Sequence, residues 1–375
     1  MVNDMAPSAL AHPRLTRIVA ALPAIIPFVG PEALERESGQ KLTLRLGANE
    51  SLFGSSPKVI EAIRQAALES HLYGDPEGFA LREALAQHHG LSMEHLVLGA
   101  GIDELLGVVV QAYLEPGEIV VMSEGGYPTF AYEVRGHGGV IRTAPYRDDR
   151  NDGQALVELA RSEGAKLVYL ANPDNPTGSY LSAAEQLSLL ERLPDNCLLV
   201  LDEAYAEFAP AGALPDLAPD DPRVIRFRTF SKARGLAGMR VGYVQGAPEL
   251  VRPLDRIRKQ FGVGRLTQAA ALAALEDQDF VADVVAATVE GRRDYGRLAA
   301  EHGFGVLPSA TNFVAFDVGT PARAHAILTA LRDREGVFIR MPGVAPLNRC
   351  IRVTVGRSED RHRFADAFRR VVASL

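Results

Sequence analysis

Short apolar segments alternate with helical patterns between about residues 45 and 260, and this alternation restricts the fold more than any other feature of the sequence. Several of the apolar segments carry no polar residue, which is typical of central strands in a parallel sheet that helices cover on both faces. The predicted strands are His95–Leu98, Ile119–Met122, Leu167–Leu170, Leu198–Leu201 and Val224–Thr229, with helices such as 102–114 and 183–192 between them. The predicted fold class is therefore α/β, with a large, mostly parallel sheet flanked by helices.

The pattern changes after Tyr243. Long helices are predicted there, followed by short strands around one further helix, and this order is typical of a smaller α+β unit. The helices are 265–275, 281–302 and 321–333, and the strands are 313–316, 337–340 and 351–355. With 375 residues, the chain has the length of two or three domains. We predict an N-terminal arm over 1–44 that packs on the small domain, a large domain over 45–262 and a small C-terminal domain over 263–375.

The charge balance argues against some classes of partner. The chain has 40 Lys and Arg against 47 Asp and Glu, a net charge of −7, and shows no basic stripe of the kind that nucleic-acid binders carry. The same balance gives no support for membrane-surface binding, and no metal-ligand pattern stands out. Two cysteines cannot form a disulfide framework and fit a reducing compartment, so we expect a cytoplasmic protein.

An apolar segment near the N-terminus, residues 18–29, loosely imitates a signal peptide. It contains Pro23 and Pro27 and runs into Gly30 without a small-residue cleavage site, so we interpret it as part of the arm. It is also shorter than the ~18 continuous apolar residues of a membrane span.

Polar or glycine-containing turns follow the predicted strands of the large domain. The turns are Gly99–Asp103, Tyr127-Pro128, Asn172–Gly178, Asp202–Tyr205 and Ser231-Lys232. Because the carboxyl ends of parallel strands meet at one edge of an open sheet, these turns are predicted to form one site.

The residue types in these turns indicate a particular chemistry. Asp202 directly follows four apolar residues, so its charge needs a cationic or protonated partner, unless it caps a helix. Lys232 is either a solvated lysine or an amine that forms a Schiff base with a carbonyl cofactor. Arg240, eight residues later, and Gly101, at the start of a helix, suit a phosphate. Together these groups describe pyridoxal 5′-phosphate, whose ring nitrogen the carboxylate would keep protonated.

At these residues the chain resembles the fold-type I pyridoxal-phosphate aminotransferases, and in particular the histidinol-phosphate aminotransferase group. The resemblance extends from about residue 23 to 370. Its motifs are Ala48–Glu50 with Phe53–Pro57, Tyr73–Pro76, Gly101–Glu104, Asn172–Gly178, Asp202–Tyr205, Ser231–Arg240 and Arg352–Gly356.

The resemblance implies a role for each matching residue. Lys232 would hold the cofactor covalently and move the substrate proton, and Asp202 would pair with the ring nitrogen. Tyr205 and Asn175 would hydrogen-bond the ring oxygen, and Tyr127 would stack on the ring. The remaining cofactor contacts would come from Gly101, Ile102, Asp103, Ser231 and Arg240, and from Tyr73 of a second copy in a homodimer; Tyr73 in an ordinary surface turn is the alternative.

The predicted substrate contacts are Arg352, Arg340, Asn49 and Phe28. Arg352 lies on the opposite strand face from its apolar neighbours; it is either a solvated edge residue or, by resemblance, the ligand of the substrate carboxylate. Arg340 would bind the phosphate of histidinol phosphate. Phe28 stands where the family usually has a tyrosine, and Arg234 where it has an aromatic residue, and both bear on the choice of substrate.

Histidinol phosphate as amino donor and 2-oxoglutarate as acceptor are the leading prediction. The alternatives are an aromatic or broad-specificity aminotransferase, a decarboxylase of a phosphorylated amino acid, and a non-catalytic regulator with an aminotransferase-like domain. The regulator would need a DNA-binding module, for which we see no room before residue 23. A dinucleotide-binding enzyme lacks the G-x-G-x-x-G motif after a first strand.

Overall fold

The computed structural model describes residues 13–23 and 28–375, so parts of the predicted arm, residues 1–12 and 24–27, lie outside the described chain. The strands are β1 Leu44–Arg45, β2 Leu96–Gly99, β3 Ile119–Ser123, β4 Val140–Ala144, β5 Leu167–Ala171, β6 Leu198–Asp202, β7 Val224–Thr229, β8 Gly242–Gly246, β9 Gly305–Val306, β10 Phe313–Asp317, β11 Val337–Phe338 and β12 Cys350–Thr354.

The α-helices are α1 Arg17–Ala20, α2 Pro31–Ser38, α3 Pro57–Ala67, α4 Phe79–His89, α5 Ile102–Tyr113, α6 Pro128–Gly136, α7 Gly153–Glu163, α8 Ala183–Glu191, α9 Pro248–Val251, α10 Arg265–Glu276, α11 Gln278–Glu301, α12 Pro321–Glu335 and α13 Ser358–Ala373. Short 3₁₀ helices cover Met93–His95, Ala206–Phe208, Ala237–Met239, Arg252–Arg256 and Leu347–Arg349. Among residues 13–23 and 28–375, every helix is too short or too polar to cross a lipid bilayer.

Seven strands of the described chain form the large sheet, in the order β2-β8-β7-β6-β5-β3-β4. Only β8 runs against its neighbours, so the carboxyl ends of β2, β3, β5, β6 and β7 meet at one edge. The predicted α/β class with a mostly parallel sheet is confirmed.

The large sheet contains two strands that the sequence does not predict. The edge strand β4 exposes Arg142 and Thr143, and β8 begins and ends with glycine, so neither has the apolar pattern of a central strand.

Helices cover both faces of this sheet, which explains why β5 and β6 are buried at every position. On one face α5 and α6 pack on side chains such as Val200 and Phe227, and on the other α7 and α8 pack on Leu199 and Leu201. A capping box between Ser182 and Glu185 fixes the start of α8. The edge where the turns meet is thereby held in place from both sides.

A second unit follows α11. Its three-stranded antiparallel sheet has the order β12-β10-β9, and it packs on α12 and α13 around Phe316, Phe364 and Phe368. Strand β1 pairs in parallel with β11, so the segment that precedes the large sheet is attached to this second unit. In contrast, Ile18 of α1 lies against Gly138, just after α6 of the large unit. The domain boundaries given above remain a prediction.

Candidate active site

A cavity of about 650 Å³ opens at the edge where the strand ends meet. All but two of the predicted site residues line it: Phe28, Asn49, Ile102, Asp103, Tyr127, Asn175, Asp202, Tyr205, Ser231, Lys232, Arg240, Arg340 and Arg352. The two others are Gly101, which lies behind Arg240, and Tyr73, which lies on the surface with 79% of its area exposed. The sequence prediction of a single site built from separate turns is therefore matched by the geometry. Among the described residues, no group of His, Cys, Asp and Glu side chains is placed to hold a metal ion.

Asp202 ends β6 and is only 5% exposed. Its Oδ2 accepts a hydrogen bond from the hydroxyl of Tyr169 at 2.7 Å, and its Oδ1 accepts one from the Ala204 amide at 3.0 Å. Burial raises the pKa of Asp202 to about 6, although these two bonds favour the ionised form. No helix starts here; the Ala204 contact closes a turn instead, so the helix-cap alternative is wrong.

The residue after Asp202 holds this end of β6 in place through ion pairs with β7. Glu203 is fully buried; its carboxylate accepts two hydrogen bonds from Arg226, at 2.9 and 3.0 Å, and one from Arg228, at 2.8 Å. Both arginines belong to β7, the neighbour of β6, so the ion pairs fasten the two strands together next to the cavity.

Lys232 lies three residues beyond the end of β7 and lines the cavity. Its Nζ donates to the Asn49 carbonyl oxygen at 3.2 Å and lies 5.6 Å from the centroid of the Tyr205 ring. The loss of water around the amine, reinforced by the nearby Arg352, lowers the pKa of Lys232 to about 8. Near neutral pH a larger fraction of this amine is therefore uncharged and nucleophilic than would be the case for a solvated lysine.

The start of α5 provides an anion site. Gly101 precedes the helix with a φ of +86°, and a Cβ there would lie 2.5 Å from Nη2 of Arg240, so this close approach requires glycine. The first amides of α5 have no acceptor within the helix. Arg240 lies beside them and pairs with Asp103 at 3.2 Å, and Asp103 also accepts the Tyr127 hydroxyl at 2.9 Å. A guanidinium and free amides thus face the same end of the cavity.

Two arginines reach the cavity from the second unit, and we call the part of the cavity that they line its other end. Arg352, on β12, donates to Asn175 Oδ1 at 2.6 Å and to the Gly47 carbonyl at 3.1 Å, and it lies over the Phe313 ring. Its buried Nε has no partner among the described residues, and burial lowers its pKa. Arg352 is therefore held inside the cavity rather than solvated at a sheet edge.

Arg340 pairs with the Arg352 backbone through an isolated β-bridge. Its Nη2 donates to the Val29 carbonyl of the arm at 2.9 Å, and its guanidinium lies 4.9 Å from the centroid of the Phe338 ring. The arm thus reaches this end of the cavity, where the side chain of Phe28 is 49% exposed.

Asn49 connects the two ends. It is 2% exposed, its Nδ2 donates to the Tyr205 hydroxyl at 2.9 Å, and its amide donates to Thr354 Oγ1 at 3.1 Å. Tyr205 is also buried, and burial raises its pKa to about 12, so its hydroxyl stays protonated. Asn175 lies across from it, fixed by Arg352.

Several residues of the site are missing from the sequence prediction. Tyr132, on the same face of α6 as Pro128, lines the cavity, as do Met341 and Val344 of the loop after Arg340. These positions carry no recognisable pattern in the sequence. Tyr169 could have been found from the sequence, because it is the one residue with a polar group in the apolar strand β5.

Comparisons with known proteins agree with this geometry. The profile of the aminotransferase class I and II family matches residues 42–368. The structure is similar to that of histidinol-phosphate aminotransferase from Sinorhizobium meliloti in complex with pyridoxal-5′-phosphate, with a TM-score of 0.94 and 49% identity, covering 97% of this chain and 99% of that one. A histidinol-phosphate aminotransferase 2 from Methylococcus capsulatus is 39% identical over 90% of this chain and 93% of its own length. Another from Carboxydothermus hydrogenoformans is 36% identical over 93% and 97%.

The chain belongs to the class I and II aminotransferases, and its large sheet with the smaller α+β unit is the fold-type I architecture of that family. It is an enzyme of the transaminase class, as the sequence motifs predict, and within the family its relatives named above are histidinol-phosphate aminotransferases.

Proposed function

We propose that this enzyme uses pyridoxal 5′-phosphate to transfer the amino group of histidinol phosphate to 2-oxoglutarate. The observation that carries the proposal is the pairing, in one cavity, of an amine with a lowered pKa and a buried carboxylate, with anion-binding groups at both ends. The names of the relatives support the choice of reaction and substrate.

The residues present fit the cofactor. Its phosphate is matched by the amides at the start of α5, by Arg240 and by Ser231, whose hydroxyl accepts from Thr229 at 2.9 Å and keeps its own proton available. Asp202 retains free lone pairs for a ring nitrogen, because its two hydrogen bonds use only part of its acceptor capacity. Lys232 is the amine within the cavity.

When bound, pyridoxal 5′-phosphate supplies an aldehyde that condenses with amines and a ring that accepts electrons from the bond broken at Cα. The protein then has four tasks. Lys232 carries the proton to and from the reacting carbon, as its lowered pKa permits near neutral pH. Asp202 keeps the ring nitrogen protonated, Tyr205 and Asn175 present polar groups to the ring oxygen, and Tyr127 presents an aromatic surface.

The two arginines divide the recognition of substrate. Arg352 is fixed inside the cavity and suits a carboxylate of the 2-oxo acid acceptor. Among the described residues, the Arg340 guanidinium hydrogen-bonds only through Nη2, to the Val29 carbonyl, so its other N–H groups suit the phosphate of the amino donor. Phe28, Met341 and Val344 supply an apolar surface for an imidazole ring. The same surface also suits an aromatic amino acid, which is the competing amino donor.

Borohydride reduction followed by peptide mass spectrometry tests the cofactor. We expect the yellow enzyme to be converted to a stable adduct on Lys232. An adduct on any other lysine, or no adduct, would contradict the proposal.

Steady-state comparison of amino donors tests the substrate. Wild type should prefer histidinol phosphate to phenylalanine, tyrosine and histidine. Arg340→Ala should lower kcat/KM for histidinol phosphate about 10- to 100-fold and that for phenylalanine much less, because only the first substrate carries a phosphate. Equal losses for both would favour the aromatic aminotransferase.

We also propose a homodimer with shared active sites. Tyr73 lies outside the cavity, with its ring centroid 4.7 Å from that of Phe261, in a region where Leu72 and Phe79 are also about half exposed. Exposed apolar side chains in such a group favour an interface. In a two-fold dimer, Tyr73 would reach the partner's cofactor.

Complementation tests this arrangement. Lys232→Ala and Tyr73→Ala chains, unfolded together and reassembled, should regain activity, because one site of each heterodimer contains both residues. Lys232→Ala reassembled alone is the control. No recovery in a sample shown to contain heterodimers would exclude the shared site.

A further inference from the structure

Tyr169 is a buried tyrosine that does not line the cavity but touches a residue that does. It lies on β5, two residues before the strand ends, and Asp202 ends the adjacent strand β6. In the register of the two strands Ala171 is opposite Asp202, so Tyr169 lies on the same sheet face, one pair behind it. Its hydroxyl spans this offset and donates to Oδ2 of Asp202 at 2.7 Å.

The Tyr169 ring is fixed by packing. It is 2% exposed, and it stacks on the fully buried Phe130 with ring centroids 4.5 Å apart and planes inclined by 17°. Burial raises the pKa of Tyr169 well above its usual value, so the hydroxyl is a permanent donor. A donor held this rigidly restricts the rotation of the carboxylate that it binds.

We propose that Tyr169 is a positioning residue that aims the Asp202 carboxylate at the ring nitrogen of the cofactor and keeps that carboxylate ionised. This inference rests on the proposed function and deepens it. A buried carboxylate tends to take up a proton, and in the part of the chain that the structure describes Asp202 has two hydrogen-bond donors, Tyr169 and the Ala204 amide. Without the Tyr169 hydroxyl, the Asp202 carboxylate is freer to rotate and binds its proton more tightly. Its charge-assisted hydrogen bond to a protonated ring nitrogen then becomes weaker.

The test compares two cofactors that differ only at this atom. Purified apo-protein is titrated with pyridoxal 5′-phosphate and with its 1-deaza analogue, in which a C–H replaces the ring nitrogen. Wild type should bind the natural cofactor more tightly. In Tyr169→Phe, which keeps the ring stack and removes only the hydroxyl, this preference should shrink about tenfold or more, the usual range for a lost charge-assisted hydrogen bond.

Tyr243→Phe is the matched control. Tyr243 is another buried tyrosine of the same sheet, on β8, two strands away from β6 and Asp202, and its hydroxyl bonds to His89 Nε2 at 2.8 Å rather than to Asp202. Its loss should leave the preference for the ring nitrogen unchanged. Incorporation of 4-fluorophenylalanine at position 169 provides a second variant, which fills the volume of the hydroxyl without a donor and should repeat the loss.

Two outcomes would overturn the proposal. Weaker binding of both cofactors by the same factor would mean that Tyr169 only shapes the cavity, and an unchanged preference would mean that Asp202 needs no such support. Both differ from failure of the proposed function, in which wild type itself would not bind pyridoxal 5′-phosphate or would not distinguish it from the 1-deaza analogue.

Discussion

The two ends of the cavity are built in different ways. At the cofactor end, Asp202 and Lys232 follow adjacent strands of the large sheet, and Asp202 is fixed by hydrogen bonds from buried neighbours. At the amino-donor end, Arg340 and Phe28 come from a loop and from the arm, and Phe28 is half exposed. Strand ends hold side chains more rigidly than loops do, so the first end suits constant chemistry and the second suits a choice among substrates. Variants at the two ends should therefore fail in different ways.

The largest effect is expected at Lys232. Lys232→Ala removes the group to which we assign the proton transfer, so kcat should fall about 10³-fold for every amino donor. Steady-state assays measure this, with Lys41→Ala, at an exposed lysine, as the control. A variant that retains a tenth of the wild-type rate would mean that the cofactor end does not depend on this amine.

We expect the next largest loss of activity from the substitution of Arg352. Arg352→Ala should lower kcat/KM about 10- to 100-fold for 2-oxoglutarate and for amino donors that carry a carboxylate, because the guanidinium fork that we assign to a carboxylate is lost. The affinity for pyridoxal 5′-phosphate, measured by titration of the apo-protein, should change less than about threefold. Arg352→Lys keeps the charge without the fork and should restore little. A loss restricted to phosphorylated substrates would contradict this division.

The pKa of Lys232 predicts how cofactor capture depends on pH. Burial lowers this pKa to about 8, so the reactive neutral amine increases as pH rises, makes up half of the total near pH 8 and approaches a plateau above about pH 9. The rate at which apo-protein captures pyridoxal 5′-phosphate covalently should follow this curve in stopped-flow absorbance. Pyridoxine 5′-phosphate, which has no aldehyde, is the control for non-covalent binding. A rate that still rises steeply above pH 9 would indicate an ordinary solvated lysine.

The smallest expected effect is on the free energy of unfolding, and it appears when wild type is compared with Asp202→Asn, in which the side chain carries no charge. The folded-state pKa of Asp202 is about 6, above its unfolded value, so the proton that favours the folded state is lost as pH rises through 6. Between pH 5 and 7.5 the apo-protein should therefore lose about 1 kcal/mol relative to Asp202→Asn. Urea unfolding of both proteins at the two pH values measures this difference. An equal stability gap at both pH values would show that Asp202 is ionised throughout.

Much of the cofactor end could be predicted from the sequence. Asp202 ends the apolar run of β6, and Ser231-Lys232 lie two and three residues beyond β7; parallel strands bring such positions to one edge whatever the details of packing. Less of the amino-donor end could be predicted from the sequence. Arg340 and Arg352 were predicted from a resemblance, whereas Tyr132 and the Met341–Val344 loop became site residues only in the folded chain.

What the sequence determined by itself is the set of reactive groups and the sheet edge where they meet, because the periodicity of apolar residues fixes which positions end a buried strand. What only the tertiary structure decided is how those groups are tuned. The bond from Tyr169 to Asp202 depends on strand register, and the contact of Arg340 with the Val29 carbonyl joins positions more than 300 residues apart. The pKa of Lys232 depends on how much water the surrounding elements exclude. Register, long-range contact and desolvation arise only when the whole chain packs, so no local pattern in the sequence encodes them.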